Sequence, residues 1–192
     1  ASLGDVVTAP EADKYYVIQG NGQAGQVSWL YDNNGTFAAN AAATVTTGAE
    51  GMKYVWTFEF SDDGVAAKNL TTGRYIHIAG TGNGGAVQMQ DTPSYFTIDV
   101  SGEEVGFKNA SGRYIDMGYS GVGPVTWDGG VTGSRRLVIY IANVEEISEL
   151  SAAMARLETC YTTYEDYLPG WGEKTFDRGT EIGQYNCSDE VY

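Results

Sequence analysis

The sequence predicts an all-β domain built from three similar units that close on one another, followed by an α-helical segment. Three observations predict it. Residues 65–78 and 105–117 are near copies, sharing Lys-Asn (Lys68-Asn69, Lys108-Asn109) and Gly-Arg-Tyr-Ile (Gly73-Arg74-Tyr75-Ile76, Gly112-Arg113-Tyr114-Ile115). Glycine makes up 26 of 192 residues without a Gly-x-y period, which favours turn-dense β structure and excludes collagen. Beyond residue 142 only 4 of those glycines remain, and apolar residues recur at steps of three and four.

A second marker supports the repeat. Trp56-Thr57-Phe58-Glu59-Phe60 and Phe96-Thr97-Ile98-Asp99-Val100 lie 40 residues apart, and Leu137-Val138-Ile139-Tyr140-Ile141 comes after them. A more diverged first copy starts at Tyr15-Tyr16-Val17-Ile18-Gln19 and carries an insertion over 38–49. Each unit holds short β-branched and aromatic runs of period two, bounded by Gly, Asn, Asp and Ser, which read as strands. Asn and Gly in the shared motif tolerate the positive φ of a tight hairpin turn. One unit of about 40 residues cannot bury a core alone, so the three must close together, which also hides strand edges.

From 143 on the chain reads differently. Ile147, Leu150, Met154, Leu157, Tyr161, Tyr164 and Leu168 form a helical stripe, and Glu145, Glu146 and Glu149 crowd its start, where the helix dipole favours anions. Pro169-Gly170 ends it. The domain division is therefore 1–142 and 143–192. The stripe predicts one helix over 145–168 that packs on the all-β domain or on a second chain.

Composition narrows the function. With 42% hydrophobic residues and 12% aromatics, the chain is not disordered. A net charge of −14 repels phosphate backbones and anionic lipid, so no nucleic-acid partner is expected. No apolar run approaches the ~20 residues of a membrane helix, so no membrane insertion is expected. Cys160 and Cys187 are too few for a disulfide scaffold; they pair with each other or stay unpaired.

Most candidate chemistry reduces to turns. Gly20-Asn21-Gly22-Gln23-Ala24-Gly25 matches the dinucleotide fingerprint, yet it leads into the strand-like Gln26-Val27-Ser28-Trp29-Leu30-Tyr31 rather than a helix N-terminus. His77 is the only histidine, with neither a Gly-x-Ser-x-Gly elbow nor a ligand cluster beside it. Asp62-Asp63 and Glu103-Glu104 occupy matching positions and read as hairpin tips rather than as converging acid and base. Asp32-Asn33-Asn34-Gly35 lacks the spacing of a calcium loop. Of the glycosylation sequons at Asn34, Asn69, Asn109 and Asn186, those at Asn69 and Asn109 are repeat-equivalent turn residues. No metal and no cofactor is expected.

The repeat, with Tyr114-Ile115-Asp116-Met117 in the third copy and Ala86-Val87-Gln88-Met89-Gln90-Asp91 in the second, resembles the ricin-type β-trefoil lectins over about residues 13–142. The resemblance implies a β-trefoil and a sugar site in each copy: a carboxylate early, an aromatic ring about a dozen residues on. In the third copy these are Asp116, Trp127 and Asp128. The second supplies His77 in place of the carboxylate, with Gln88, Gln90 and Asp91. In the first, Tyr31 and Asp32 fall near the position. The family's Gln-x-Trp and its repeat disulfides are absent, so Trp56 and Phe96 read as core. Gly179-x-x-x-Gly183-Gln184-Tyr185, after the helix, resembles the helical spacer modules called FIVAR of bacterial surface proteins.

The expected function is a noncatalytic carbohydrate-binding module of a secreted or surface-attached bacterial protein, acting outside the cell or in the periplasm, with a glycan as partner. Further domains are expected beyond Tyr192. The rival is a structural or adhesion module that spaces or docks protein partners without binding sugar; an enzyme is the least supported. The third copy, with carboxylate and ring together, is expected to bind best, Asp116 accepting hydrogen bonds from two vicinal hydroxyls.

Overall fold

A computed structural model of the chain describes residues 3–22, 25–41, 51–118 and 123–142. The helix expected over 145–168, the FIVAR-like segment and both cysteines lie outside the described residues. The described strands belong to one compact unit, Ala1–Glu146. They are β1 (Leu3–Val7), β2 (Tyr16–Asn21), β3 (Val27–Asn33), β4 (Thr36–Asn40), β5 (Val55–Ser61), β6 (Gly64–Asn69), β7 (Tyr75–Ile78), β8 (Gly85–Gln90), β9 (Thr97–Ser101), β10 (Glu104–Lys108), β11 (Tyr114–Asp116), β12 (Val125–Trp127) and β13 (Arg136–Ala142).

Six of these close a ring. Three long antiparallel ladders, β5–β6, β9–β10 and β13–β2, are joined by three short seams, β2–β5, β6–β9 and β10–β13. The seam between β6 and β9 is a single bridge, Val65 to Phe96, held by two backbone hydrogen bonds of 2.9 Å. Three outer hairpins, β3–β4, β7–β8 and β11–β12, continue from β2, β6 and β10. The three copies close on one another as the repeats predict, in the β-trefoil that the resemblance implies, and ring closure leaves the barrel without free edges. β1 lies outside the threefold plan and pairs antiparallel with β13.

The core forms because alternate residues of the ring strands and of the outer hairpins point the same way, inward. Trp56 and Phe96 are buried, as expected of core residues, and Trp56 Nε1 donates to the Leu30 carbonyl at 3.1 Å. Phe107 stacks on Phe96 at 4.5 Å between ring centroids and meets Phe58 edge-on at 6.1 Å. Leu30, Phe37, Ile76, Ile78, Val87, Met89, Ile115 and Met117 bring the inner faces of the three hairpins onto the same cluster.

The repeat motif performs the same local work in each copy. Gly25, Gly73 and Gly112 hold φ of +71°, +72° and +74° in corresponding turns. These turns are bracketed by hydrogen bonds from Gly22 to Gln26, Asn69 to Arg74 and Asn109 to Arg113. In the first-copy G-x-G-x-x-G run, Gly20 and Asn21 thus end β2, and Gly22 donates to the Gln26 carbonyl just ahead of β3. Asn109 Nδ2 donates to the carbonyls of Ile78 and Gly80, and Asn69 Nδ2 to that of Lys53, so both sequon amides tie the turn to the neighbouring copy. Of the two acidic pairs, Asp62-Asp63 forms a two-residue tip closed by Ser61 and Gly64. The corresponding tip is Gly102-Glu103: Glu104 is the first residue of β10, opposite Ser101, and its carboxylate pairs with Arg136 at 3.1 Å.

A Lys–acid–Tyr triad also recurs. Lys68 reaches Glu59 at 3.4 Å and Tyr75 donates to the same carboxylate at 2.9 Å; Lys108 reaches Asp99 at 2.7 Å and Tyr114 donates to it. Tyr75 and Tyr114 occupy equivalent places, paired across the ladder with Lys68 and Lys108. Hydrogen bonds from Lys108, then Tyr114, hold the Asp99 carboxyl below its ordinary value.

Gly64 has φ +126°, and a Cβ there would sit 2.6 Å from the Phe96 carbonyl oxygen, against the β6–β9 seam. Gly112 has φ +74° with open space around it. Gly112→Ala should therefore cost ~1 kcal/mol, from backbone strain alone, and Gly64→Ala ~3 kcal/mol or more, read by urea denaturation; equal costs would contradict the seam's tightness. Asp99→Asn should lose ~1 kcal/mol at neutral pH, discounted for the pair's partial exposure. Because the Asp99 pKa is depressed on folding, its contribution is present above the unfolded value near 3.8 and fades as pH falls through the folded one. The stability gap between native protein and variant should accordingly be constant from pH 5 to 8 and narrow below about pH 4.

Candidate functional site

The resemblance implies a sugar site on the outer hairpins, and the turns align those hairpins. Trp29, His77 and Asp116 each lie four residues beyond the positive-φ glycine of their copy, on the first strand of the hairpin. Across that hairpin they face Asn40, Gln88 and Val125. The first-copy equivalent is therefore Trp29 rather than Tyr31 or Asp32. Asp32 is buried: Oδ1 accepts the Gly35 N–H at 2.6 Å in the β3–β4 turn, and Oδ2 lies 3.5 Å from Arg74 Nη1. Equal spacing from Gly25, Gly73 and Gly112 was the sequence signal that could have found Trp29.

In the third copy Asp116 pairs with Val125 and Tyr114 with Trp127, so Asp116 and Trp127 sit diagonally on one face of the hairpin. Trp127 is 42% exposed, whereas Asp116 is 4% exposed. Oδ1 of Asp116 accepts the Gly118 N–H at 2.7 Å and the Ser134 hydroxyl at 2.6 Å; Oδ2 accepts Arg135 Nη1 at 3.1 Å. Arg135 is fixed in turn by donating from Nε to the Gly130 carbonyl and from Nη2 to the Thr132 hydroxyl. Gly129, Gly130 and Gly133 all have positive φ, which lets the loop curl around the guanidinium.

The expectation that Asp116 serves two vicinal hydroxyls needs correcting. A carboxylate has about four lone-pair directions, and protein donors fill three of them, leaving one on Oδ2. Ser134 and Arg135 were missed from sequence because they lie 18 and 19 positions away in a loop without repeat markers.

Asp128 stands apart from the Asp116–Trp127 face. It pairs with Arg113 at 2.8 Å, which holds its carboxyl below the ordinary value, and its N–H donates to Asn83 Oδ1 at 3.0 Å. Asp91 is its counterpart, pairing with Arg74 at 3.2 Å. Both carboxylates sit at the end of a hairpin, engaged by the arginine of the repeated Gly-Arg-Tyr.

In the second copy His77, Gln88 and Gln90 do share a face, Gln88 opposite His77 and Gln90 opposite Tyr75. His77 Nδ1 lies 2.8 Å from Ser94 Oγ, and Gln90 Nε2 donates to the Thr92 carbonyl at 2.9 Å. That face combines imidazole, amides and hydroxyl. Among the described residues no group of three or more His, Cys, Asp and Glu is placed to hold a metal, and no helix is long and apolar enough to cross a membrane.

No family model and no curated protein matches the chain. Solved structures do. The Macrolepiota procera ricin B-like lectin in complex with lactose aligns with TM-score 0.53 and 17% identity, over 70% of this chain and 99% of that one. Its fold is that of the ricin B-like lectins. The designed threefold-symmetric protein ThreeFoil aligns equally well, with TM-score 0.53 and 13% identity over 68% of this chain and 100% of that one. A GlcNAcα1-4Gal-releasing endo-β-galactosidase from Clostridium perfringens aligns with TM-score 0.55 and 16% identity over 68% of this chain, which spans only 33% of the enzyme. At these identities the likeness establishes the lectin-like trefoil, and function must be argued from the site.

The Asp116 network has a measurable consequence for stability. Asp116→Ala leaves the Ser134 hydroxyl and the mostly buried Arg135 guanidinium without their acceptor, which should cost ~3 kcal/mol in chemical denaturation. Trp127→Ala on the same hairpin, losing only a half-exposed ring, should cost less than ~1 kcal/mol.

Proposed function

We propose that the chain is a noncatalytic carbohydrate-binding module whose principal site is the outer face of β11–β12. The observation that carries this reading is a half-exposed indole, Trp127, sharing a hairpin face with an anchored carboxylate–guanidinium pair, Asp116–Arg135. Sugars present an apolar C–H face, which stacks on an aromatic plane, and hydroxyls that need replacement partners once they leave water.

In this reading the sugar ring lies on Trp127. One hydroxyl donates to the remaining lone pair of Asp116 Oδ2, and its neighbour accepts an N–H from Arg135. Because Ser134, Gly118 and Arg135 hold the carboxylate rigid, little entropy is lost when the ligand arrives. With one stacking plane and two polar contacts, a single site should bind at about the millimolar level. The ring-and-acid pairing recurs in neither of the other copies: the second has no ring at the Trp127 position, and the first has no carboxylate at the Asp116 position. With a glycan as ligand, the place of action is the cell surface, the extracellular space or the periplasm.

The test is a glycan array probed with the full chain, followed by titration of the best glycan into Trp127→Ala. Loss of detectable binding with an unchanged circular dichroism spectrum is expected. Array silence would favour the spacer or protein-docking role, and full binding by Trp127→Ala would move the site off the third hairpin.

A further inference from the structure

Every second residue of β5, β9 and β13 faces the barrel interior. Phe58 and Ile139 are buried in the core, and Ile98 packs against it. The next inward positions, equivalent in the three copies, are Phe60, Val100 and Ile141. Ile141 is partly buried, whereas Phe60 is 49% and Val100 55% exposed. β1 accounts for the difference: it lies along β13 there, and a Cβ on Gly4 would stand 3.1 Å from the Ile141 Cβ. β5 and β9 pair only with barrel strands, so among the described residues Phe60 and Val100 have no such cover.

Both side chains stand at one end of the barrel. β6 and β10 run from the hairpin tips to the outer hairpins, so the tips beside Phe60 and Val100 lie at the end away from Trp127. Leu3, opposite Ala142, is exposed at that end too. Of the five exposed large hydrophobic side chains among the described residues, three thus share one end, unlike the single scattered ones that need no explanation. The tips make its rim acidic. Asp62, Asp63 and Glu103 are exposed, and none of them makes an ion pair among the described residues. Arg136 is engaged by Glu104 at 3.1 Å and Lys14 by Glu11 at 2.7 Å, so the unpaired charge on this rim is negative.

We propose that this end of the barrel docks a basic protein partner. Apolar side chains of the partner cover Phe60, Val100 and Leu3, while its Lys or Arg side chains meet Asp62, Asp63 and Glu103. Exposed apolar surface rimmed by polar residues is what a protein contact buries. Complementary charge around it steers the encounter and rejects partners of the wrong sign. A second copy of this chain would bring acidic tips against acidic tips and is disfavoured. Nucleic acid and anionic lipid are repelled by the same carboxylates. The surface uses none of the strands of the Trp127 hairpin and does not depend on the carbohydrate reading.

The test begins with hydroxyl-radical footprinting of the dilute, unliganded full chain, read by mass spectrometry. Phe60 should be oxidised readily and the buried Phe58 hardly at all. Protection of Phe60 at every dilution would mean that a segment of the same chain covers this end; protection that grows with concentration would mean that a second copy does. Either result overturns the proposal. A display library of random peptides is then selected on the full chain, and the recovered peptides are synthesised and titrated. They should be rich in Lys or Arg around apolar residues, protect Phe60 from oxidation, and bind more weakly at high salt. Phe60→Ser and Val100→Ser should each weaken binding about tenfold with an unchanged circular dichroism spectrum. The D62N/D63N/E103Q variant should weaken it severalfold, and Trp127→Ala should leave it intact. Footprints of the unmutated protein decide the matter even if a serine variant fails to fold. The proposal is overturned if no peptide is recovered, if the recovered peptides are acidic or uncharged, or if they bind without protecting Phe60. Peptide binding lost in Trp127→Ala would likewise sink this surface; a silent glycan array with peptide binding intact would sink only the sugar site.

Discussion

The pairing of β13 with β2 is the constraint on which the rest depends. Six residues of the Ile-and-Val-rich last barrel strand, Arg136 to Ile141, lie antiparallel to β2, from Asn21 back to Tyr16. The other two long ladders are local hairpins with two-residue tips, so they form at little cost in loop entropy. The β13–β2 ladder joins segments more than a hundred residues apart, so it carries the largest loop-closure cost of the three. Once formed, it converts a row of hairpins into a ring, and only the ring encloses Phe107, Phe96, Phe58 and Trp56.

Within that ring the repeated polar residues do structural work in matched positions. Asn69 and Asn109 knit each turn to the preceding copy, Arg74 and Arg113 hold the acidic ends of the hairpins, and the lysine–acid–tyrosine triads brace the outer wall. Residues that must satisfy buried carbonyls or neutralise a neighbour have little freedom to change, since an unpaired buried group costs ~1–3 kcal/mol. The position four residues beyond each turn glycine is different. It holds Trp29, His77 and Asp116, three unlike chemistries on one backbone frame. The proposed binding function is therefore placed where the threefold symmetry is broken.

Environment separates the candidate ligand residues from their structural look-alikes. Asp116 and Asp32 are both buried acids on outer hairpins, but Asp32 closes a turn whereas Asp116 lies diagonally across its strand pair from Trp127. Asp91 and Asp128 are exposed, yet each is drawn to the arginine of its own copy. Trp127 and Trp56 differ in the same way: one indole is left half in water at a hairpin end, and the other is sealed in the core with its N–H satisfied by Leu30.

The sequence by itself determined the strands, their threefold repetition, the turn chemistry of Asn69, Gly73, Asn109 and Gly112, and the core role of Trp56 and Phe96. These are local or periodic properties: side-chain alternation, positive φ at glycine, and a motif returning after 40 residues. Asp116 with Trp127 was singled out only through the resemblance to ricin-type lectins, not by any local rule of the chain. Tertiary structure alone decided how much of that carboxylate is available, since Ser134 and Arg135 reach it from a loop with no repeat signature. Only the closed ring sets Tyr140 against Trp29, because that contact joins the last barrel strand to the first outer hairpin. Proximity created by long-range closure leaves no periodic trace in the chain, which is why the repeat was legible and the sites it carries were only partly so.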